Sequence, residues 1–181
     1  MNTYTKKRFK FVLGFVACLL DRLIPFRPPN IEPVLAVQMP FSKAYGAFSG
    51  FLFASMSIVL FDLIVGKIGV WTLITALAYG ILGFCAALFF KHRRSSVRNY
   101  ALFAVMGTLF YDAVTGLSIG PLFFGQSFMS ALVGQLPFTM MHLLGNVTFA
   151  VIVSPALYTH VVTNKALETT ALLTTLKQKF T

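Results

Sequence analysis

The chain has 181 residues, of which 57% are apolar and only 11% charged, with a mean hydropathy of +0.78 and a formal net charge of +10. A soluble domain carries roughly 25% charged residues, so this composition excludes an ordinary soluble fold and assigns most of the chain to lipid-facing or bundle-packed helices. At about 20 residues per span the length allows five or six crossings with short loops and leaves no room for a separate soluble domain.

The first apolar run, 9–24, follows Lys6, Lys7 and Arg8, the arrangement of a secretion signal. No small-x-small cleavage site follows it, and Phe15-Val16-Ala17-Cys18 places an aromatic where a lipoprotein box has an aliphatic residue, so an uncleaved first helix is expected. Cys18 and Cys85 both lie in apolar runs, which predicts small core residues and neither a disulfide framework nor a metal site. Gly14 and Cys18, four residues apart with Ala17 beside them, form a small-residue face that could serve the bundle or an external partner. From Arg22 to Pro33 the prolines at 25, 28, 29 and 33 predict a stiff, extended outer loop. The second span, 31–42, rises only about 18 Å against a hydrocarbon core of roughly 30 Å. It must reach part-way or borrow length from Tyr45 onward, which keeps a five-span count open.

Four further spans are predicted at 45–66, 69–90, 99–117 and 137–160. Small residues at four-residue spacing, Gly46 with Gly50 and Ala54, Ala76 with Gly80, and Gly83 with Ala87, predict close helix packing. Leu60-Phe61-Asp62 followed by Gly66 and Gly69 is echoed by Leu109-Phe110-Tyr111-Asp112 followed by Gly116 and Gly120, either a faint internal repeat or shared helix-end grammar. The stretch Leu117 to Leu136 is apolar and aromatic, and reads as a short interfacial helix acting as a lid or as an amphipathic segment at rest on the membrane. Residues 1–162 form a single transmembrane helical domain in this reading. Residues 163–181, with apolar positions 167, 171, 172 and 176, form a cytoplasmic amphipathic tail.

With six spans and the N-terminus inside, Lys6, Lys7, Arg8, Lys10, Lys43, Lys91, Arg93, Arg94, Arg98, Lys165, Lys177 and Lys179 all fall on the cytoplasmic side, and Arg22, Arg27 and Lys67 outside. This positive-inside bias predicts both termini on the cytoplasmic side of a bacterial or archaeal membrane. The net charge then calls for no nucleic-acid partner, because a basic rim facing anionic lipid of the bilayer accounts for it.

His142 and Asn146 are the sharpest polar pair. They share a helix face, about 7 and 13 Å below Pro137 if the last helix starts there, and polar groups at that depth either face a site or glue helices together. Trp71, Tyr79, Tyr111 and Asp112 on the fourth and fifth spans, Gln126 and Gln135 on the lid, and Asn30, Glu32 and Gln38 around the first outer loop can converge on a pocket opening outward. Trp71 also suits an interfacial belt, and Asp62 and Asp112 suit helix ends touching headgroups or basic side chains. No Walker loop, no G-x-S-x-G around Ser127 and no H-E-x-x-H helix is present, and His92, His142 and His160 are dispersed. No catalytic residue, cofactor or resident metal is therefore expected.

Pro29-Asn30-Ile31-Glu32-Pro33-Val34 after a first helix, the Gly-rich third helix ending in Asp62, Trp71-Thr72 opening the fourth, and Leu136-Pro137-Phe138 followed by His142, Gly145 and Asn146 together resemble the substrate-binding S components of energy-coupling factor (ECF) vitamin transporters. The resemblance implies an all-α bundle of six transmembrane helices, with a pocket near the outer face under the apolar loop between helices five and six. It also implies a small water-soluble micronutrient as cargo, and a transmembrane coupling protein and two ATPase subunits as partners. Many S components dock through an alanine-x-x-x-alanine pattern on the first helix, for which the nearest match is Gly14 with Cys18. A structural membrane protein resembling the cell-shape factor MreD, with similar size and span count, is the alternative: its polar residues would be glue and no small ligand would bind.

Overall fold

A computed structural model of the chain describes residues 3–25 and 32–167, and the regular structure among them is helical throughout. The helices are α1 (Thr3–Arg22), α2 (Val34–Tyr45), α3 (Ala47–Ile64), α4 (Val70–Lys91), α5 (Val97–Gly116), α6 (Ile119–Phe123) and α7 (Phe128–Leu157). A π-helical turn, Tyr158–Val162, and a short 3-10 segment, Lys165–Leu167, follow. Four stretches are long and apolar enough to cross a membrane: Ala47–Ile64, Val70–Lys91, Val97–Phe123 and Phe128–Val162. This is a multi-pass helical membrane protein. Most of the predicted tail, and Asn30 in the first outer loop, lie outside the described residues.

α2 is the axis of the bundle. Every residue from Val34 to Ser42 is buried, and α1, α3, α4, α5 and α7 all pack around it. A helix covered on every side needs no lipid-facing length, which is why twelve residues rising about 18 Å suffice. The chain turns sharply at Gly46, whose φ of 90° favours glycine, before α3 begins at Ala47. The second span therefore reaches part-way and borrows nothing from the residues after Tyr45. Pro40 inside α2 cannot donate to the carbonyl of Ala36, and Ser154 of α7 donates its hydroxyl to that oxygen at 2.7 Å instead. A proline in a membrane helix is tolerated on this condition, that a neighbour satisfies the freed carbonyl.

α3 and α4 pack most extensively. Gly50 and Gly83 lie backbone to backbone, and a Cβ on either would overlap the carbonyl of the other. Gly80 and Ala76 of α4 share this seam, against Phe51 and Ser55 of α3, while Gly46 makes the turn before it. The buried core gathers Leu35, Met39, Tyr79, Leu82, Phe90, Tyr100 and Phe103 around α2, and a second cluster joins Cys18, Val37, Phe41 and Phe53 under α1.

Lysines close the end of the bundle that carries most of the basic residues. Lys10, 4% exposed, donates to the carbonyls of Val162 at 3.1 Å and Asn164 at 2.5 Å. Lys43 donates to those of Phe90 at 3.0 Å and Arg93 at 2.5 Å. The last carbonyls of a helix have no intrahelical donor and carry partial negative charge, so ammonium groups are their natural partners.

Two expectations change. The last helix begins at Phe128, not near Pro137: Ser127 caps it by accepting from the Ser130 N–H at 3.2 Å, and the helix continues through Pro137. The carbonyl of Val133 that Pro137 leaves without a donor sits on a residue 60% exposed. The apolar stretch between α5 and α7 shrinks accordingly to α6 and a tight turn through Gly125, whose φ is 64°. Cys85 is exposed on α4, whereas Cys18 is buried as expected, so only one of the two cysteines is a core residue.

Candidate functional site

α5 and α7 run antiparallel and carry polar residues at the same one-turn spacing, Thr108 and Asp112 on one, His142 and Asn146 on the other. The result is a two-rung ladder. His142 Nδ1 lies 2.7 Å from Asp112 Oδ1, a hydrogen bond between the imidazole and the carboxyl group. One turn deeper, Asn146 Nδ2 donates to Thr108 Oγ1 at 2.9 Å. All four residues are buried, from 0% to 3% exposed.

Aromatic rings continue the ladder toward α4. His142 is edge-on to both Tyr111 and Phe138 at 5.7 Å, and the Tyr111 and Tyr79 rings are 4.4 Å apart. Tyr79 then donates its hydroxyl to Glu32 Oε1 at 3.3 Å, and Arg22 Nε approaches Glu32 Oε2 at 3.5 Å with its guanidinium 4.4 Å over the Phe61 ring. A continuous series of contacts thus joins the end of α1, the segment before α2, and helices α4, α5 and α7.

The ladder's bonds leave polar atoms over. Asp112 Oδ2, Asn146 Oδ1, Arg22 Nη1 and both amide atoms of Gln38 are buried without a hydrogen-bond partner. Such groups cost about 1–3 kcal/mol each when nothing pairs with them, and in a membrane bundle they make this the candidate site.

Of the predicted site residues, Glu32, Tyr79, Tyr111, Asp112 and His142 are brought into this series, with Asn146 one turn below. Gln38 is fully buried on the central helix. Gln135 is spent locally, donating to Thr139 Oγ1 at 3.2 Å and lying against Gly116, while Gln126 is exposed in the turn after α6, against Gly120. Trp71 is 38% exposed; its indole donates to the Lys67 carbonyl at 3.1 Å and its ring faces Phe124 at 6.2 Å. Asp62 and Asp112 are not headgroup contacts. Asp62 is buried and accepts the Thr72 hydroxyl at 2.5 Å, and Thr72 in turn accepts the Gly69 N–H at 3.1 Å, which locks the turn between α3 and α4. The two aspartates of the suggested repeat therefore do different work. On α1, a Cβ at Gly14 would strike the Phe41 ring and Cys18 is buried, so both face inward and Ala17 alone of the three lies at the surface.

Arg22 and Thr108 were missed as site residues. Thr108 stands one turn before Asp112 as His142 does before Asn146, a spacing that was available in the sequence. Arg22 counted there only as a charge.

The model of one family, the ECF-type riboflavin transporter S component, matches residues 12–115, more than half of the chain, from α1 to nearly the end of α5. No curated protein and no solved structure matches. His142 and Asn146 lie beyond the matched stretch, so the ladder rests on the geometry alone. A matched stretch of that extent, in a multi-pass helical membrane protein, places this chain in the family of ECF-type riboflavin transporter S components, the membrane-embedded substrate-binding subunits of ECF transporters.

Proposed function

We propose that this subunit captures a vitamin or related micronutrient from the outside and delivers it to an ATP-driven importer made with a transmembrane coupling protein and two ATPase subunits. The observation that carries this reading is the set of buried, unpartnered polar atoms along the α5/α7 ladder. Asp112 Oδ2 and Asn146 Oδ1 can each accept from a ligand N–H or O–H, while Arg22 Nη1 offers a donor for a ligand carbonyl. Tyr79, Tyr111 and Phe138 supply aromatic surface beside them for a planar heterocycle. Riboflavin, named by the matching family, is such a compound and is the first ligand to test. The basic rim supports an orientation with both termini on the cytoplasmic side and the ladder's Asp112 rung toward the outside. Docking to the coupling protein uses the exposed face of α1 around Ala17.

The test is mass spectrometry of small molecules carried through purification of the detergent-solubilised protein, with Asn146→Leu in parallel, before and after incubation with a vitamin mixture containing riboflavin. A compound retained by the wild type and absent from the variant supports the reading and names the cargo. Nothing above background in either protein, with or without the mixture, refutes it and leaves a structural membrane protein as the better description.

A further inference from the structure

At the basic end of the bundle, away from the ladder, lies a cleft of about 380 Å³ between the α2–α3 turn, the last turns of α4 and the π-helical turn after α7. Three features fix what it can hold. First, its polar lining among the described residues is cationic or neutral: Lys43, Lys91, Ser42 and Tyr158 line it, and no described carboxylate does. Second, Lys43 gives two of its N–H groups to the Phe90 and Arg93 carbonyls, which fixes its ammonium at the cleft with one N–H to spare. A fixed ammonium with one N–H to spare, with Lys91 lining the same cleft, is a place for an oxygen-rich anion. Third, the cleft's other wall is apolar and includes Leu88, which is 56% exposed. Leu88 continues a lipid-facing stripe of α4 through Phe84 and Ile81, 45% and 44% exposed, at helical spacing. A free anion uses only the first two features; a phosphate with hydrocarbon attached uses all three.

We propose that this cleft is a binding site for an anionic phospholipid. The phosphate is held by Lys43 and Lys91, and one acyl chain lies along Leu88, Phe84 and Ile81. Basic pockets between membrane helices are the usual receptors for such headgroups.

Native mass spectrometry of the full-length protein in detergent, titrated with phosphatidylglycerol or with phosphatidylcholine of the same acyl chains, tests the site. One basic residue near the headgroup corresponds to about a 5-fold change in affinity. Phosphatidylglycerol should therefore bind at least about 5-fold tighter than phosphatidylcholine. Lys91→Gln should remove about that factor, while Arg98→Gln, an exposed basic residue outside the cleft, should change it less than about 2-fold. Equal retention of the two lipids, or equal losses in the Lys91 and Arg98 variants, would overturn the proposal in favour of diffuse attraction to the basic rim. Displacement of the lipid by excess inorganic phosphate would overturn it in favour of a free-anion site.

Discussion

Replacing Asn146 by leucine separates a ligand contact from helix glue. Asn146 is 1% exposed, gives one hydrogen bond to Thr108, and keeps Oδ1 buried without a partner. Leucine is close in volume. The substitution removes an interhelical bond worth about 0.6 kcal/mol, at most about 1.7, in a membrane bundle. It also removes the unpaired oxygen, whose burial costs about 1–3 kcal/mol. Thr108 can turn its hydroxyl to a carbonyl one turn back on its own helix. Folding should therefore change by no more than about 1 kcal/mol, a shift of a few degrees at most in the melting temperature. The ligand fares differently, because an N–H that pairs with Oδ1 would be buried against a methyl group. That costs about 1–3 kcal/mol, or about 5- to 150-fold in Kd. Titration of riboflavin followed by its own fluorescence, together with thermal unfolding in the same detergent, measures both quantities. A variant that keeps its melting temperature and its riboflavin affinity would refute the assignment of Oδ1 to the ligand. A variant that loses several kcal/mol of stability would show that the lower rung is glue after all.

Three further outcomes follow from the packing. His142→Leu leaves Asp112 Oδ1 buried without its partner and should cost about 1–3 kcal/mol, whereas adding Asp112→Leu should restore much of the loss, as unfolding of the single and double variants would reveal. Gly50→Ala forces a methyl group into Ser42 and the Gly83 carbonyl and should destabilise by about 1–3 kcal/mol, while Gly134→Ala, with open space around it, should be tolerated; melting temperatures distinguish the two. An apolar thiol reagent that partitions into the detergent micelle should add one label first, at Cys85 on the lipid-facing surface of α4, and reach the buried Cys18 only on unfolding, and the mass shift of the intact chain counts the labels. Two fast labels would mean that α1 does not pack as described.

The sequence expressed helix ends wherever a local signal carried them. The spans at 45–66, 69–90 and 99–117 became α3, α4 and α5 with ends moved by one or two residues, since glycines, lysines and a serine cap punctuate the chain there. The start of α7 was misplaced because Pro137 is a strong local stop, while the Ser127 cap that overrides it is a weak signal. Helical phase put His142 and Asn146 on one face. Which helix that face would meet is a long-range fact, and the Asp112 and Thr108 pairings follow from the α5/α7 packing alone. Gly14 and Cys18 show the same limit in reverse. Their spacing advertises a small-residue face, but only the position of Phe41 on α2 decides that the face turns inward.

The four lysine-to-carbonyl bonds of the basic end join residues that are 47, 50, 152 and 154 positions apart in the chain. Between them they tie the first third of the sequence to both its middle and its close, at one level of the bundle. Splaying that end like petals would mean breaking several charge-assisted bonds at once, each worth about 1.5–3 kcal/mol when shielded from water. Pivoting the whole body as a unit breaks none of them. The lysines thus make this end of the protein behave mechanically as a solid cork rather than a pair of jaws.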